Sequence, residues 1–174
     1  KLPTNQRLQF LAGQYIDILL KDGKRRSFSL ANAPHDDEYL ELHARNYPGG
    51  VFTEHVFTNM KVKDMLRFTG PLGSFFLRDT PEECSIIFLA SGTGFAPIKS
   101  ILEHVFHQEG GRHRKRNMTL YWGARTKSDL YLADLADKWQ REHDNFTFIP
   151  VLSEPLPSDN WQGRTGLVHQ AVMH

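Results

Sequence analysis

Ser91-Gly92-Thr93-Gly94-Phe95-Ala96-Pro97 is the segment whose residue types and spacing point most directly to chemistry. It follows a run of apolar residues and opens a stretch with helical spacing, so it reads as a turn from strand to helix. At the carboxyl end of a parallel strand, such a turn is where open α/β sheets bind ligands. Glycines let the backbone approach a phosphate, and the first N–H groups of the helix add donors and positive dipole. Gly92, Thr93 and Gly94 are therefore candidates to hold a phosphate. Pro97 stands where the full dinucleotide fingerprint has its third glycine, and Ile98 where a P-loop needs glycine before Lys99-Ser100. The turn fits neither standard pattern, and a tight connection holding no ligand is the alternative.

Other constellations carry less. Gly111-Arg112-His113-Arg114-Lys115-Arg116 is strongly basic and reads as a solvated loop, with steering of an acidic partner as the alternative. His104 and His107 lie three apart on one helical stretch, but no further ligand set accompanies them, so no metal site is expected. Cys84 is the single cysteine, which excludes an internal disulfide, a zinc site of several cysteines and a four-cysteine iron–sulfur site. A G-x-S-x-G nucleophile elbow is missing from the sequence, which argues against a hydrolase.

The elements that position these residues fall into two rhythms. From Leu8 to about Arg78 the chain moves in short bursts divided by turns: Tyr15–Leu19, Arg25–Leu30, Tyr39–Arg45 and Met65–Phe68. One short helix is expected over Val51–Met60. Short strands between turns predict a small antiparallel barrel or sandwich. After Pro81 strands and helices alternate. Ser85–Ala90 is a continuous apolar run, the pattern of a strand covered on both faces. Phe95, Ile98, Ile101, Leu102, Val105 and Phe106 form one helical stripe. Met118–Trp122 and Phe146–Leu152 are further strands, separated by a helix with Ser128 as its cap. Alternation of this kind predicts a parallel sheet with right-handed crossovers. The expected organisation is a β domain over residues 1–80 and an α/β domain over 81–174, joined near Asp79–Glu83.

Composition agrees with ordinary globular domains. The 174 residues are 40% hydrophobic and 24% charged, with Lys+Arg 21 against Asp+Glu 20. A net charge of +1 makes sequence-independent nucleic-acid binding a poor fit. Apolar runs stay well short of the roughly 18 residues of a membrane span. From these two observations no nucleic-acid or membrane partner is expected; the start lacks the apolar core of a secretory signal, and the location reads as cytoplasmic. The first residue is Lys rather than Met, as in a trimmed or excerpted chain.

Arg26-Ser27-Phe28-Ser29 resembles the R-x-[YF]-S flavin-binding signature of the ferredoxin–NADP reductase superfamily, preceded by Gly13-Gln14-Tyr15. Pro48-Gly49-Gly50-Val51-Phe52-Thr53 and Gly70-Pro71-Leu72-Gly73-Ser74-Phe75 follow in the family's order. Ser91–Pro97 is similar to its G-T-G-x-A-P nucleotide turn, and Tyr121-Trp122-Gly123-Ala124-Arg125 to its next strand and loop. The likeness covers nearly the whole chain and is greatest to bacterial CDP-6-deoxy-glucoseen reductases and oxygenase reductases. It implies a Greek-key flavin-binding barrel followed by a Rossmann-like NAD(P)-binding domain. Relatives of this type end with another strand and a C-G-x-P turn, so the chain is expected to be incomplete after His174 and at its front.

The resemblance also implies roles. Arg26 would meet the flavin diphosphate, as a guanidinium fork suits phosphate oxygens. Phe28 would pack on the flavin, and Ser29 would lie near N5, the atom that receives hydride, as the one residue close to the reacting atoms. Gly49, Gly50, Val51, Phe52 and Thr53 would bring backbone donors and a hydroxyl to the phosphate, with Ser27, His43, Ala44 and Arg45 beside the flavin. Gly92, Thr93, Gly94 and Pro97 would receive the nicotinamide dinucleotide, with Gly123, Ala124, Arg125 and Ser153 along the same edge. Taken singly, Phe28 reads as a core residue, Arg26 and Arg125 as surface charges, His43 as solvent-facing and Ser153 as a loop residue.

The implied activity is NAD(P)H-dependent flavoprotein reduction. Hydride passes from nicotinamide to flavin, and single electrons leave to an iron–sulfur domain or protein. FAD is expected, with FMN open, and either NADH or NADPH as co-substrate. A free flavin reductase, and a non-catalytic electron-partner or regulatory module with the same fold, are the alternatives.

Overall fold

The computed structural model describes residues 1–3, 5–108 and 110–173, without the side chain of Val51. The chain divides into two compact units. One comprises Lys1–Arg78 with Ala96–His107, the other Asp79–Phe95 with Gln108–His174.

In the first unit, β1 (Tyr15–Leu19) and β2 (Arg25–Ser29) form an antiparallel hairpin. Gly23 at its tip has φ +80°, a backbone that favours glycine. A short α1 (Val51–Glu54) runs into a wider π turn over His55–Asn59, in place of the single helix expected there. The strand β3 (Arg67–Leu72) pairs with the other edge of β1, giving the order β2-β1-β3. Alternation sends Ile16 and Ile18 inward, where they meet Phe10, Leu30 and Phe52 in one core with Phe28 and Phe68 against it.

Among the described residues this sheet is open rather than a closed barrel. The expected strand over Tyr39–Arg45 contributes only the bridge Leu30–Leu42. Asn32 is the physical reason. Its buried amide donates to the carbonyls of Asp36 (2.6 Å) and Tyr39 (2.8 Å) and accepts the Glu41 N–H (2.9 Å). A side chain thus takes the backbone groups that a continuous ladder would pair.

Lys63, in the turn before β3, has φ +83°, where a Cβ is strained. Lys63→Gly is expected to stabilise the first unit by about 0.5–1 kcal/mol, the strain relieved less the entropy gained by the unfolded chain. A melting temperature that falls on this substitution contradicts the assignment of strain.

The second unit is a parallel sheet. In it, β4 (Ile86–Ser91), β5 (Met118–Ala124), β6 (Phe146–Leu152) and the two-residue β7 (Arg164–Thr165) lie in that order. The helix α2 (Phe95–His107) follows β4 in sequence, yet from Ala96 onward it packs with the first unit. Next come α3 (Ala133–Glu142) and α4 (Val168–Ala171). Ser128 does not cap α3. It lies in a separate 3-10 turn, Lys127–Asp129, which Thr126 and Asp129 close.

Two expectations need correction here. On β4, Phe88 and Ala90 are buried, but Ile87 and Leu89 remain 59% and 47% exposed, so the described residues cover that strand on one face only. The basic run is not simply a solvated loop. Arg116 is buried, and its guanidinium donates to the Cys84 carbonyl (2.6 Å) and to Thr80 Oγ1 (2.8 Å), while Arg112 pairs with Asp79 on the surface.

Candidate functional site

The first unit gathers its candidates on β2 and the segments around it. Register places Arg26 opposite Ile18 and Phe28 opposite Ile16, whereas Ser27 faces Asp17 and Ser29 faces Tyr15. Arg26 and Phe28 therefore share one face, and Ser27 and Ser29 the other. Phe28 lies against the core, its ring 5.3 Å from that of Phe52 and tilted by 55°. Arg26 is exposed, with Nη1 donating to the Arg25 carbonyl at 2.8 Å, so most of its fork faces water. The Ser27 hydroxyl is engaged by Asp17 at 2.6 Å. Among the described residues the half-buried Ser29 hydroxyl makes no side-chain hydrogen bond.

Before α1 the chain turns at Gly49, φ +77°, where a side chain would meet nothing within 4 Å. At Gly50 a Cβ would collide with Thr53 Oγ1 and crowd the Tyr47 carbonyl, so bare backbone is required. Thr53 Oγ1 donates to the Gly50 carbonyl at 3.1 Å and locks this turn. Phe52 is buried beneath it; Ala44 is half-buried and Arg45 exposed. The side chain of Val51 lies outside the described residues.

His43 is not solvent-facing. Its Nε2 lies 2.9 Å from Glu41 Oε1, and the imidazole is largely covered. Glu41 Oε2 accepts from Lys99 Nζ at 3.0 Å. The hydrogen bond from His43, with Lys99 beside it, holds the Glu41 carboxyl down at about 2 against the opposing effect of burial. Glu103, also 3.0 Å from Lys99, is instead raised by burial. Further along α2, His107 stacks on His35 with centroids 3.7 Å apart. Among the described residues there is no group of three metal-ligating side chains.

The second unit aligns the ends of its parallel strands. Gly92–Gly94 forms a 3-10 turn, and Gly92 has φ +51°. A Cβ at Gly92 or Gly94 would meet nothing within 4 Å, so this backbone stands in open space. Trp122 anchors it from below, with Nε1 donating to the Gly92 carbonyl at 3.0 Å. Phe95 stacks on that indole with centroids 4.0 Å apart. Gly123 is not open: a Cβ there would strike Val168 of α4 at 2.6 Å. The Ala124 carbonyl accepts from Ser153 N at 2.9 Å, which brings Ser153 to the same edge. Beside it, Arg125 donates through Nε (3.2 Å) and Nη2 (2.7 Å) to Glu154 Oε2. Pro97 sits in the first turn of α2, partly buried.

Sequence reasoning missed Glu41, Trp122 and Glu154 as functional candidates, and saw Lys99 only as part of a failed P-loop. The sole local signal was adjacency, Glu154 following Ser153 and Trp122 preceding Gly123. In chemical terms the first unit offers a guanidinium fork, an available hydroxyl and a glycine turn. The second offers bare turn backbone at strand ends. Both suit the diphosphate of a dinucleotide.

An antiparallel unit with the arginine–serine ribbon and a parallel unit with the glycine turn define a ferredoxin–NADP reductase-like oxidoreductase. Residues 1–77 match the oxidoreductase FAD-binding domain family and residues 88–174 the oxidoreductase NAD-binding domain family. The chain belongs to the oxidoreductases that combine these two domains. It is 41% identical to a CDP-6-deoxy-L-threo-D-glycero-4-hexulose-3-dehydrase reductase of Yersinia pestis, over 99% of this chain and 50% of that protein. It is 38% identical to reductase component 2 of the terephthalate 1,2-dioxygenase of Comamonas, over 100% of this chain and 53% of that protein. The Amycolatopsis cytochrome P450 reductase structure superposes with a TM-score of 0.84 at 35% identity, over 97% of this chain and 50% of that one. The chain spans about half the length of the curated relatives it matches. Among the described residues, no helix is long and apolar enough to cross a membrane.

Proposed function

We propose that this chain is the FAD- and nicotinamide-handling part of an NAD(P)H-dependent reductase that passes electrons singly to an iron–sulfur domain or protein. When bound, the two cofactors supply hydride acceptance and donation, and the protein supplies binding and orientation. The observation that carries the proposal is the presence in one chain of an exposed Arg26 fork and an available Ser29 hydroxyl on β2, together with a separate glycine turn anchored by Trp122. Residues 1–80 would hold the flavin and residues 81–174 the nicotinamide dinucleotide. Arg26 and the Gly49–Thr53 turn would bind the flavin diphosphate, with Ser29, His43, Ala44 and Arg45 at its ring and ribityl chain. Ser27, its hydroxyl engaged by Asp17, would contribute through its backbone. Phe28 would support the ribbon from the core side.

Gly92–Gly94 would bind the pyrophosphate of the coenzyme, with Ala124 and Ser153 lining the strand-end edge and Gly123 acting by letting α4 approach; Pro97 follows the turn in sequence. NADH is the donor this edge favours. Arg125 is engaged by Glu154, and a 2′-phosphate there would meet a carboxylate rather than a free guanidinium. Glu154→Gln is expected to improve NADPH affinity about tenfold while changing NADH affinity little, since one charge repulsion is removed. Inhibition constants of 2′-phospho-AMP and AMP provide the check, and equal responses of the two ligands would exclude Glu154 from selection.

The reductase relatives support electron delivery to a partner, and a nicotinamide donor supports action in the cytoplasm. Anaerobic titration of the FAD-loaded protein with NADH and with NADPH tests the proposal. Bleaching of the flavin by about one equivalent of NADH is the expected result. An oxidised flavin after either nucleotide would refute it.

A further inference from the structure

The single bridge Leu30–Leu42 defines more than one pair. Its antiparallel register sets Ser29 across from His43 and Ala31 across from Glu41. The Ala31 N–H donates to the Glu41 carbonyl at 2.9 Å, as that register requires. Side chains alternate along both segments, so Ser29, Ala31, Glu41 and His43 belong to one face and Leu30 and Leu42 to the other. Tyr15 extends the row, since it pairs with Ser29 across β1 and β2.

Lys99 reaches this face from α2. It is 6% exposed, and its ammonium donates to the Ala31 carbonyl (3.2 Å), Glu41 Oε2 (3.0 Å) and Glu103 (3.0 Å). An ammonium has three N–H donors, and all three have acceptors here. The next residue, Ser100, donates to the Asn32 carbonyl at 2.7 Å and fixes the same helix to the same segment. Glu41 cannot rotate without leaving a buried lysine short of a partner, an expensive loss. Its second oxygen is thereby held on His43 Nε2. A carboxylate only accepts hydrogen bonds, so Nε2 carries the ring proton and, in the neutral imidazole, Nδ1 is the acceptor.

We propose that Glu41, locked by Lys99, is a positioning residue that fixes His43 in its Nε2-protonated form next to Ser29. His43 is then held in one fixed orientation beside the Ser29 hydroxyl. The inference rests on the assignment of the Ser29–His43 ribbon to the flavin. A buried ion pair adds little to stability that apolar packing could not supply. What this one adds is a fixed orientation for an imidazole.

The test uses the full chain with ¹⁵N-labelled histidine, the His43 signals being assigned by their loss in His43→Asn. Without flavin, His43 is expected to show the Nε2-protonated pattern. Glu41→Gln leaves its amide oxygen to Lys99 and turns its NH2 donor toward Nε2, so the Nδ1-protonated pattern is expected to appear. Lys99→Met releases Glu41 and is expected to populate that pattern in part. Each variant is expected to bind FAD about tenfold more weakly, the equivalent of one lost hydrogen bond. A His43 spectrum unchanged in Glu41→Gln overturns the proposal; that substitution, at a partly exposed carboxylate, keeps the test open if Lys99→Met does not fold. A wild-type His43 spectrum that ignores saturating FAD overturns instead the placement of the flavin, and it does so without any variant, so the two failures are distinct.

Discussion

Trp122→Ala is expected to destabilise the second unit by about 3–5 kcal/mol, the range for emptying a buried aromatic site. Trp122 is 0% exposed and stacks on Phe95, and Tyr131 meets the indole edge-on with centroids 5.3 Å apart. Its loss therefore opens a cavity within an aromatic cluster and also frees the Gly92 carbonyl. Trp122→Phe separates the two effects. It keeps an aromatic ring against Phe95 but removes the Nε1–H donor to Gly92 and one ring of a fully buried indole, so a smaller stability loss of about 2 kcal/mol is expected. The more telling readout is nucleotide binding. If Trp122 sets the turn for a pyrophosphate, the phenylalanine variant binds NADH several-fold more weakly while its FAD affinity is unchanged. Chemical unfolding and NADH titration measure the two quantities independently, and unaltered NADH affinity would show that the indole serves packing alone.

Arg26→Ala is expected to weaken FAD binding by about 30- to 100-fold, corresponding to some 2–3 kcal/mol for a charge-assisted guanidinium–phosphate contact. Arg26 is exposed and makes one hydrogen bond, to its neighbour's carbonyl, so folding stability should stay within about 0.5 kcal/mol of wild type. That contrast makes the substitution informative, because a fall in affinity cannot then be attributed to unfolding. Arg26→Lys restores charge but not the planar fork, and partial recovery is expected. FAD fluorescence quenching supplies the affinities, and an alanine variant that binds FAD as tightly as wild type would remove Arg26 from the diphosphate.

Much of the fold was legible because its signals are local. Ile16 and Ile18 alternate with Asp17, as a half-buried strand must, and the Phe95–Phe106 stripe has the period of a helix. The turn at Gly92–Gly94 announces itself through two glycines between a strand and a helix, and Gly92 takes the positive φ that favours glycine. Legibility ended where a side chain took an unexpected partner. Asn32 capturing backbone groups of Asp36, Tyr39 and Glu41 is invisible to any periodicity, and it turns an expected strand into an irregular segment. Arg116 looked like one more charge in a basic run, yet it is buried on the Cys84 carbonyl. Arg125 looked available to a phosphate until Glu154, 29 residues later, was found on its guanidinium.

From the sequence alone came the two rhythms, the order of the flavin-like and nucleotide-like motifs, and the residues that would meet each cofactor. All of these depend on neighbours a few positions apart. The tertiary structure alone decided that α2 packs with the first unit, that Lys99 locks Glu41 onto His43, and that Arg125 is engaged by Glu154. Those pairings join residues 29 to 68 positions apart. Such contacts depend on how distant segments come together in space, and charge and residue type do not reveal that in advance.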